Sequence, residues 1–334
     1  MPAKALLYCA GGGIGDSLMA SLVARALRSK YQRVDVLTLQ AHVEALQHVP
    51  DVDEVWAADD ASDADLAQML RARAYDAAVI TWASVRTAHV AQLAGIPVRV
   101  GQSRRLYSHR FTHRVDVRSE RGDVTTHWSQ ILLDYGRALG CDTADAVPRF
   151  VPDAQDAAQA AQLLESLHVQ RFVILHCANA VATQRRMWPT AGWARLAAAL
   201  RETFAVPVLL SGSAADAPIA RDVSAASGAI DIAGRLGIGA FGALAARSVL
   251  FAGITTGTMH VAAAAGAPVA GIFPFQTDTP DRWAPLGART AVVRATYPCG
   301  KGERKETCRT YACIDALDVP RILAAARSVA GSPA

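Results

Sequence analysis

Two short segments carry the residue types that could do chemistry. The first is Gly11-Gly12-Gly13-Ile14-Gly15-Asp16, a glycine turn that ends in a carboxylate. Glycines leave room for close backbone approach, so an acid held on such a turn can come very near a substrate. The second lies about 240 residues further on: Thr255-Thr256-Gly257-Thr258-Met259-His260, where small residues break an apolar run and then open an alanine-rich stretch. A strand-to-helix turn of that kind points backbone N–H groups and the positive end of a helix at one spot, which suits a phosphate or diphosphate. Asp16 has two readings at this level, a proton acceptor or a helix-capping residue. His260 likewise reads as a phosphate contact or as a residue fixing its own loop.

These segments must be positioned by regular elements. The first half alternates apolar runs with amphipathic ones: KALLYCA, a helix from Asp16 to Lys30 with Leu18, Leu22, Val23, Ala26 and Leu27 on one side, VDVLTL, HVEALQHVP, DEVWAA, a helix over 63–74, DAAVITW, a helix over 85–94, and VRVG. A helix over 126–139 closes this half. The alternation restarts after Pro148 and Pro152 with a helix over 154–167, then FVILHC, PVLLSG, AIDIAG, SVLFAGI and PVAGIFP separated by helices. Repeated strand–helix units with right-handed crossovers make parallel, doubly wound sheets. The expected organisation is therefore α/β, with a domain over 1–150, a second over 151–316, and a C-terminal helix in 317–334 packing back toward the first. A phosphate cradle in one domain and a glycine-presented acid in the other suggest a ligand cleft between them.

Composition narrows the function classes. The chain has 334 residues, 51% of them apolar and 19% charged, with a net charge of +4. That balance is globular and too weakly basic to argue for nucleic acid. The charge is uneven: seven arginines and two histidines lie between Arg99 and Arg121, against Asp116 and Glu120 alone. Arg104 and Arg105 are the residues in that block expected to meet an anionic ligand or membrane face; a solvated basic surface is the plainer reading. Cys9, Cys141 and Cys177 sit in apolar surroundings as expected reduced core thiols. Cys299, Cys308 and Cys313 are one ligand short of a closed zinc site and are expected to pack a loop. No transmembrane run is expected, and MPAKALLYCA reads as a first strand, not a secretion signal. The expected setting is cytoplasmic, with peripheral contact at the inner membrane.

The stretches GGGIGDSLMASLVARALRSKY, RVGQSRRLYSHRFTHRVDV, HWSQILLDYGRALG, LHCANAVATQRRMWPTAGWARLAAAL and DIAGRLGIGAFGALAARSVLFAGITTGTMHVAAAAGAPVAGIF, with DRWAPLG and the cysteine-bearing tail, resemble glycosyltransferase family 9, the bacterial lipopolysaccharide heptosyltransferases. The resemblance covers nearly the whole chain. It implies a GT-B fold, two Rossmann-like domains facing a cleft, with acceptor in the first and nucleotide sugar in the second. It further implies inverting, metal-independent transfer of heptose from ADP-heptose to a lipid A–Kdo core, with no cofactor. Asp16 matches the family's base, and Gly12 and Gly13 fall in the acceptor site with Arg104 and Arg105. Arg186, beside Arg185, stands where the family usually has a lysine ahead of Trp188-Pro189, as a donor-phosphate contact. Thr255, Thr256, Gly257, Thr258 and His260 complete the donor set. Two positions depart from the pattern: Thr255 replaces an acid, and Ala10 replaces a basic residue. The open alternatives are another nucleotide sugar on a capsule, O-antigen or protein acceptor, a non-catalytic nucleotide-binding protein, or a nucleotide-dependent oxidoreductase.

Overall fold

The computed structural model describes residues 3–177, 188–276, 278–300 and 308–330. The chain divides into two compact units, Met1–Arg149 and Phe150–Ala334.

The first unit runs β1 (Lys4–Tyr8), α1 (Ile14–Leu27), β2 (Arg33–Thr38), α2 (Gln40–Gln47), β3 (Glu54–Ala57), α3 (Asp63–Arg73), β4 (Ala77–Ile80), α4 (Val85–Leu93), β5 (Val98–Gln102), β6 (His113–Val115) and α5 (Trp128–Arg137). Its six strands are all parallel, in the order β3-β2-β1-β4-β5-β6. Leu7 of β1 lies opposite Val36 on one side and Val79 on the other. The central strands are buried on both faces, which is why they read as continuous apolar runs. The side of α1 read as apolar is fully buried, and Ser17, Ala20, Ser21 and Ala24 are buried with it. Small residues at those positions let the helix pack closely on more than one side.

The second unit runs α6 (Ala154–Ser166), β7 (Val173–His176), α7 (Thr190–Phe204), β8 (Val208–Ser211), α8 (Ala217–Ser227), β9 (Ile230–Asp231), α9 (Ile238–Ala246), β10 (Leu250–Ile254), α10 (Gly257–Ala264), β11 (Val269–Phe273), α11 (Pro280–Trp283), β12 (Thr290–Arg294), α12 (Ala312–Asp315) and α13 (Val319–Ala330). Its parallel strands follow the order β12-β11-β10-β7-β8-β9, the same winding as the first sheet. Trp193, Leu196 and Leu200 of α7 pack in one core with β7, β8 and β10. The buried residues of the C-terminal helix, Ile322, Ala326 and Val329, belong to this second core.

Each sheet reverses its winding once, between β1 and β4 in the first unit and between β7 and β10 in the second. In open α/β sheets, ligands bind outside the carboxyl ends of the strands at such a switch point. The Gly11–Asp16 turn follows β1, and the Thr255–His260 turn follows β10. Both chemically suggestive segments therefore stand at switch points.

Candidate functional site

Gly12 has φ +68°, a conformation glycine adopts at little cost. The carboxylate of Asp16 folds back over it: a Cβ on Gly12 would lie 2.6 Å from Asp16 Oδ2. The N–H of Gly13, the N-cap of α1, donates to that same oxygen at 2.8 Å. Asp16 thus caps its helix and keeps a second oxygen for other work. A place at a helix start by itself favours the charged form of a carboxylate. Burial outweighs that, and the Asp16 pKa is raised even against the Gly13 hydrogen bond and the neighbouring His42. A carboxylate made more basic by partial desolvation is better suited to accept a proton near neutral pH.

Replacing Gly12 by alanine should show how tightly the turn is specified. The positive φ alone costs about 1–2 kcal/mol for a residue with a Cβ, and the methyl group must displace the Asp16 carboxylate. The expected result is a lowered melting temperature with turnover down about tenfold, since small misplacements of a reacting group are expensive. Wild-type turnover in a variant of lowered stability would show that the Asp16 position is not critical.

Behind Asp16 lies a polar cluster that sequence reasoning missed. His42 of α2 is buried, and its Nδ1 is 2.9 Å from the hydroxyl of Ser17. Burial holds the His42 pKa below its ordinary value, against the pull of Asp16 and Asp59. The Thr38 hydroxyl donates to the Cys9 carbonyl, and burial pushes the Cys9 thiol up to about 12. Burial thus favours the neutral forms of both His42 and Cys9. Only strand order brings α2 beside α1; neither residue carries a local motif.

The arginine block follows β5, on the carboxyl side of the same sheet. Three of its seven arginines are held in ion pairs, and two more hydrogen-bond neutral groups. Arg105 pairs with Glu120, Arg118 with Asp134 at 2.6 Å, and Arg121 with Asp116. Arg110 donates to Gln92 at 2.7 Å and Arg99 to the Arg110 carbonyl at 2.8 Å. Arg104, exposed and at φ +64°, makes no side-chain hydrogen bond or ion pair among the described residues. Of the two arginines singled out, only Arg105 is held in a direct ion pair.

In the second unit, Thr256 is the N-cap of α10 in extended geometry, and its hydroxyl lies 2.7 Å from that of Thr258. No acidic residue stands in the first turn of α10. Thr255, Thr256, Gly257 and Thr258 are partly exposed, and the first N–H groups of a helix have no partner within it. The Thr255 N–H is committed to Ile272 across the sheet, at 3.1 Å. His260 is buried on the helix side of the turn. Across the switch point, His176 ends β7, buried, with Nδ1 3.0 Å from the Ser211 hydroxyl; burial lowers its pKa to about 4. The chain then leads to Trp188, and Arg185 and Arg186 fall outside the described residues. Among the described residues no three His, Cys, Asp or Glu side chains gather as metal ligands. All six cysteines are free thiols, with Cys313 in the second core and Cys308 packed against it.

Two Rossmann-type units, one with a helix N-terminus at its switch point and the other with a partly buried carboxylate, have the architecture of the GT-B class. Residues 64–312 match the model of glycosyltransferase family 9 (heptosyltransferase), three quarters of the chain, and the protein belongs to that family. Its fold is shared by a family 9 glycosyl transferase from Veillonella parvula, at 17% identity and a TM-score of 0.84, covering 99% of this chain and 98% of that one. ADP-heptose lipopolysaccharide heptosyltransferase II of E. coli is similar at 21% identity and a TM-score of 0.76, covering 97% and 98%. E. coli heptosyltransferase WaaC, solved with ADP, is similar at 16% and 0.68, covering 87% and 93%. No curated protein is a significant match by sequence. No helix among the described residues is long and apolar enough to cross a membrane.

Proposed function

We propose that this glycosyltransferase moves heptose from ADP-heptose to a hydroxyl of an anionic lipopolysaccharide-core acceptor of the lipid A–Kdo type, with inversion and without a metal ion. Asp16 is the base. It takes the proton of the attacking hydroxyl as that oxygen bonds to the anomeric carbon and the bond to ADP breaks. Its placement on the glycine turn, with the pKa raised by burial, is the observation that carries this reading. The first unit, with Gly12, Gly13, Arg104 and Arg105, receives the acceptor. The second unit receives the donor through Thr255, Thr256, the N–H groups of Gly257 and Thr258, Arg186, and His260. Fixed dipoles and a cation facing the leaving diphosphate stabilise charge as it develops. The work is done in the cytoplasm, at the inner membrane face where such an acceptor is presented.

A second reading has one observation in its favour. Thr255 stands where the family pattern has an acid, and a neutral group there changes what can be recognised on the transferred sugar. Turnover measured with ADP-heptose against a set of UDP- and GDP-sugars separates the two readings. Preference for a different nucleotide sugar overturns ADP-heptose as donor.

The same assay tests metal independence. Turnover is expected to persist in excess EDTA, because the helix N-terminus and Arg186 face the diphosphate in place of a divalent ion. Activity lost in EDTA and restored by Mg²⁺ or Mn²⁺ overturns this mechanism.

A further inference from the structure

Thr81 and Trp82 follow β4, directly across the first switch point from the Gly11–Asp16 turn. The backbone of Gly11 comes close against the base of the Trp82 indole: a Cβ there would sit 2.9 Å from Cγ and 3.1 Å from Cδ2. Trp128, the first residue of α5, packs against Trp82 with ring centroids 6.2 Å apart and planes at 50°. Neither indole belongs to the buried core; both are half-buried. Both indole nitrogens are shut off from solvent, so the ring surface these residues expose is carbon. The Thr81 hydroxyl is buried with no partner among the described residues.

We infer that Trp82, backed by Trp128, is the platform on which a pyranose ring of the acceptor stacks, presenting its hydroxyl to Asp16. This rests on the reading of the first unit as acceptor-binding. A pyranose has an apolar C–H face and a polar rim. A carbon-only indole surface beside a carboxylate matches both: the face lies on the ring, whose π-system is negative, and the rim meets Asp16. The glycine at position 11 is what lets indole and turn come so close, since any side chain there would push Trp82 away. Charge alone would hold an acceptor by its phosphates without orienting the sugar; the indole adds that orientation.

The test follows tryptophan fluorescence of the full chain during titration with soluble glycosides, including O-deacylated Kdo–lipid A and simple methyl pyranosides, together with steady-state kinetics. Wild type should give a saturable change, and Trp82→Phe should lose most of it. Trp82→Leu should raise the acceptor KM roughly tenfold, the scale of one aromatic contact, with the ADP dissociation constant unchanged. Trp82→Phe, which keeps a flat ring, should stay near the wild-type KM. A supporting residue would behave otherwise, lowering thermal stability and altering both substrates alike. An acceptor KM within twofold of wild type in a stably folded Trp82→Leu overturns the platform. So does a wild-type spectrum unmoved by the whole panel. A response to another pyranoside but not to the Kdo–lipid A probe supports the platform and overturns the acceptor proposed above. If Trp82→Leu does not fold, full wild-type responses in both Trp82→Phe and Trp128→Phe overturn the inference.

Discussion

Asp16→Asn is expected to lower turnover at least about 100-fold, the usual scale for loss of a general base, while leaving the fold and ADP binding intact. Asparagine keeps an oxygen that can accept the Gly13 N–H, so the turn that positions residue 16 survives. What it loses is the ability to take a proton. The wild-type pH profile provides a second check. A base works only when ionised, and burial raises the Asp16 pKa. Activity should therefore fall on the acid side at a higher pH than an ordinary aspartate would dictate, and that limb should be absent from the residual activity of Asp16→Asn. The stability effect has the opposite sign to that of a salt-bridged carboxylate. A raised folded pKa contributes stability below the unfolded value, and the contribution is lost as pH rises through the folded value. At neutral pH the charged side chain therefore costs the fold something, and Asp16→Asn should melt no lower than wild type. Steady-state rates, calorimetry with ADP and a melting curve decide these points. Turnover within a few-fold of wild type removes Asp16 as the base.

The doubly wound architecture was legible because ten of the strands carry apolar runs or alternations. The two that escaped, β6 and β12, are edge strands. In β6 the sequence is His-Arg-Val with only the valine buried, and in β12 only one of five residues is buried. Half-exposed edges lack the continuous apolar signature of central strands. The partners of the arginine block were hidden for a related reason. Counting acids within the block finds Asp116 and Glu120, whereas Arg118 uses Asp134 and Arg110 uses Gln92, both from outside it. Asp16 was legible as a glycine-presented acid, but its protonation behaviour was not. Helix-end electrostatics is a local property readable from sequence; desolvation depends on what α2 brings alongside. His42 is about 26 residues away from Asp16 in sequence, and strand order alone makes them neighbours.

The donor side leads to the second large effect. Arg186→Ala is expected to weaken ADP binding by about 1.5–3 kcal/mol, the range for a hydrogen bond to a charged group, or roughly ten- to a hundredfold in Kd. The two sides of the second switch point are β10 and β7. The first supplies the partly exposed helix start at Gly257 and Thr258. The chain after the second passes from the buried His176 and Cys177 through Arg185 and Arg186 to Trp188, which is buried against Trp193 with ring centroids 5.0 Å apart. His176 stays neutral, its pKa lowered to about 4 by burial, and so offers no charge to a diphosphate. No acid in the first turn of α10 opposes an anion there. Among the described residues of this switch point neither His176 nor the first turn of α10 brings a cation, and Arg186, which the family resemblance implies as a phosphate contact, is the proposed source. Arg186→Lys separates charge from shape: it keeps the cation and loses the guanidinium fork, so its Kd should fall between wild type and alanine. The alanine variant should lose more in turnover than in ADP affinity, because negative charge on the leaving group grows as the bond breaks. Isothermal titration with ADP, beside steady-state rates on the same preparations, reads both numbers. An unchanged Kd in Arg186→Ala removes this residue from the diphosphate, and the same titration on Arg185→Ala then shows whether its neighbour supplies the charge.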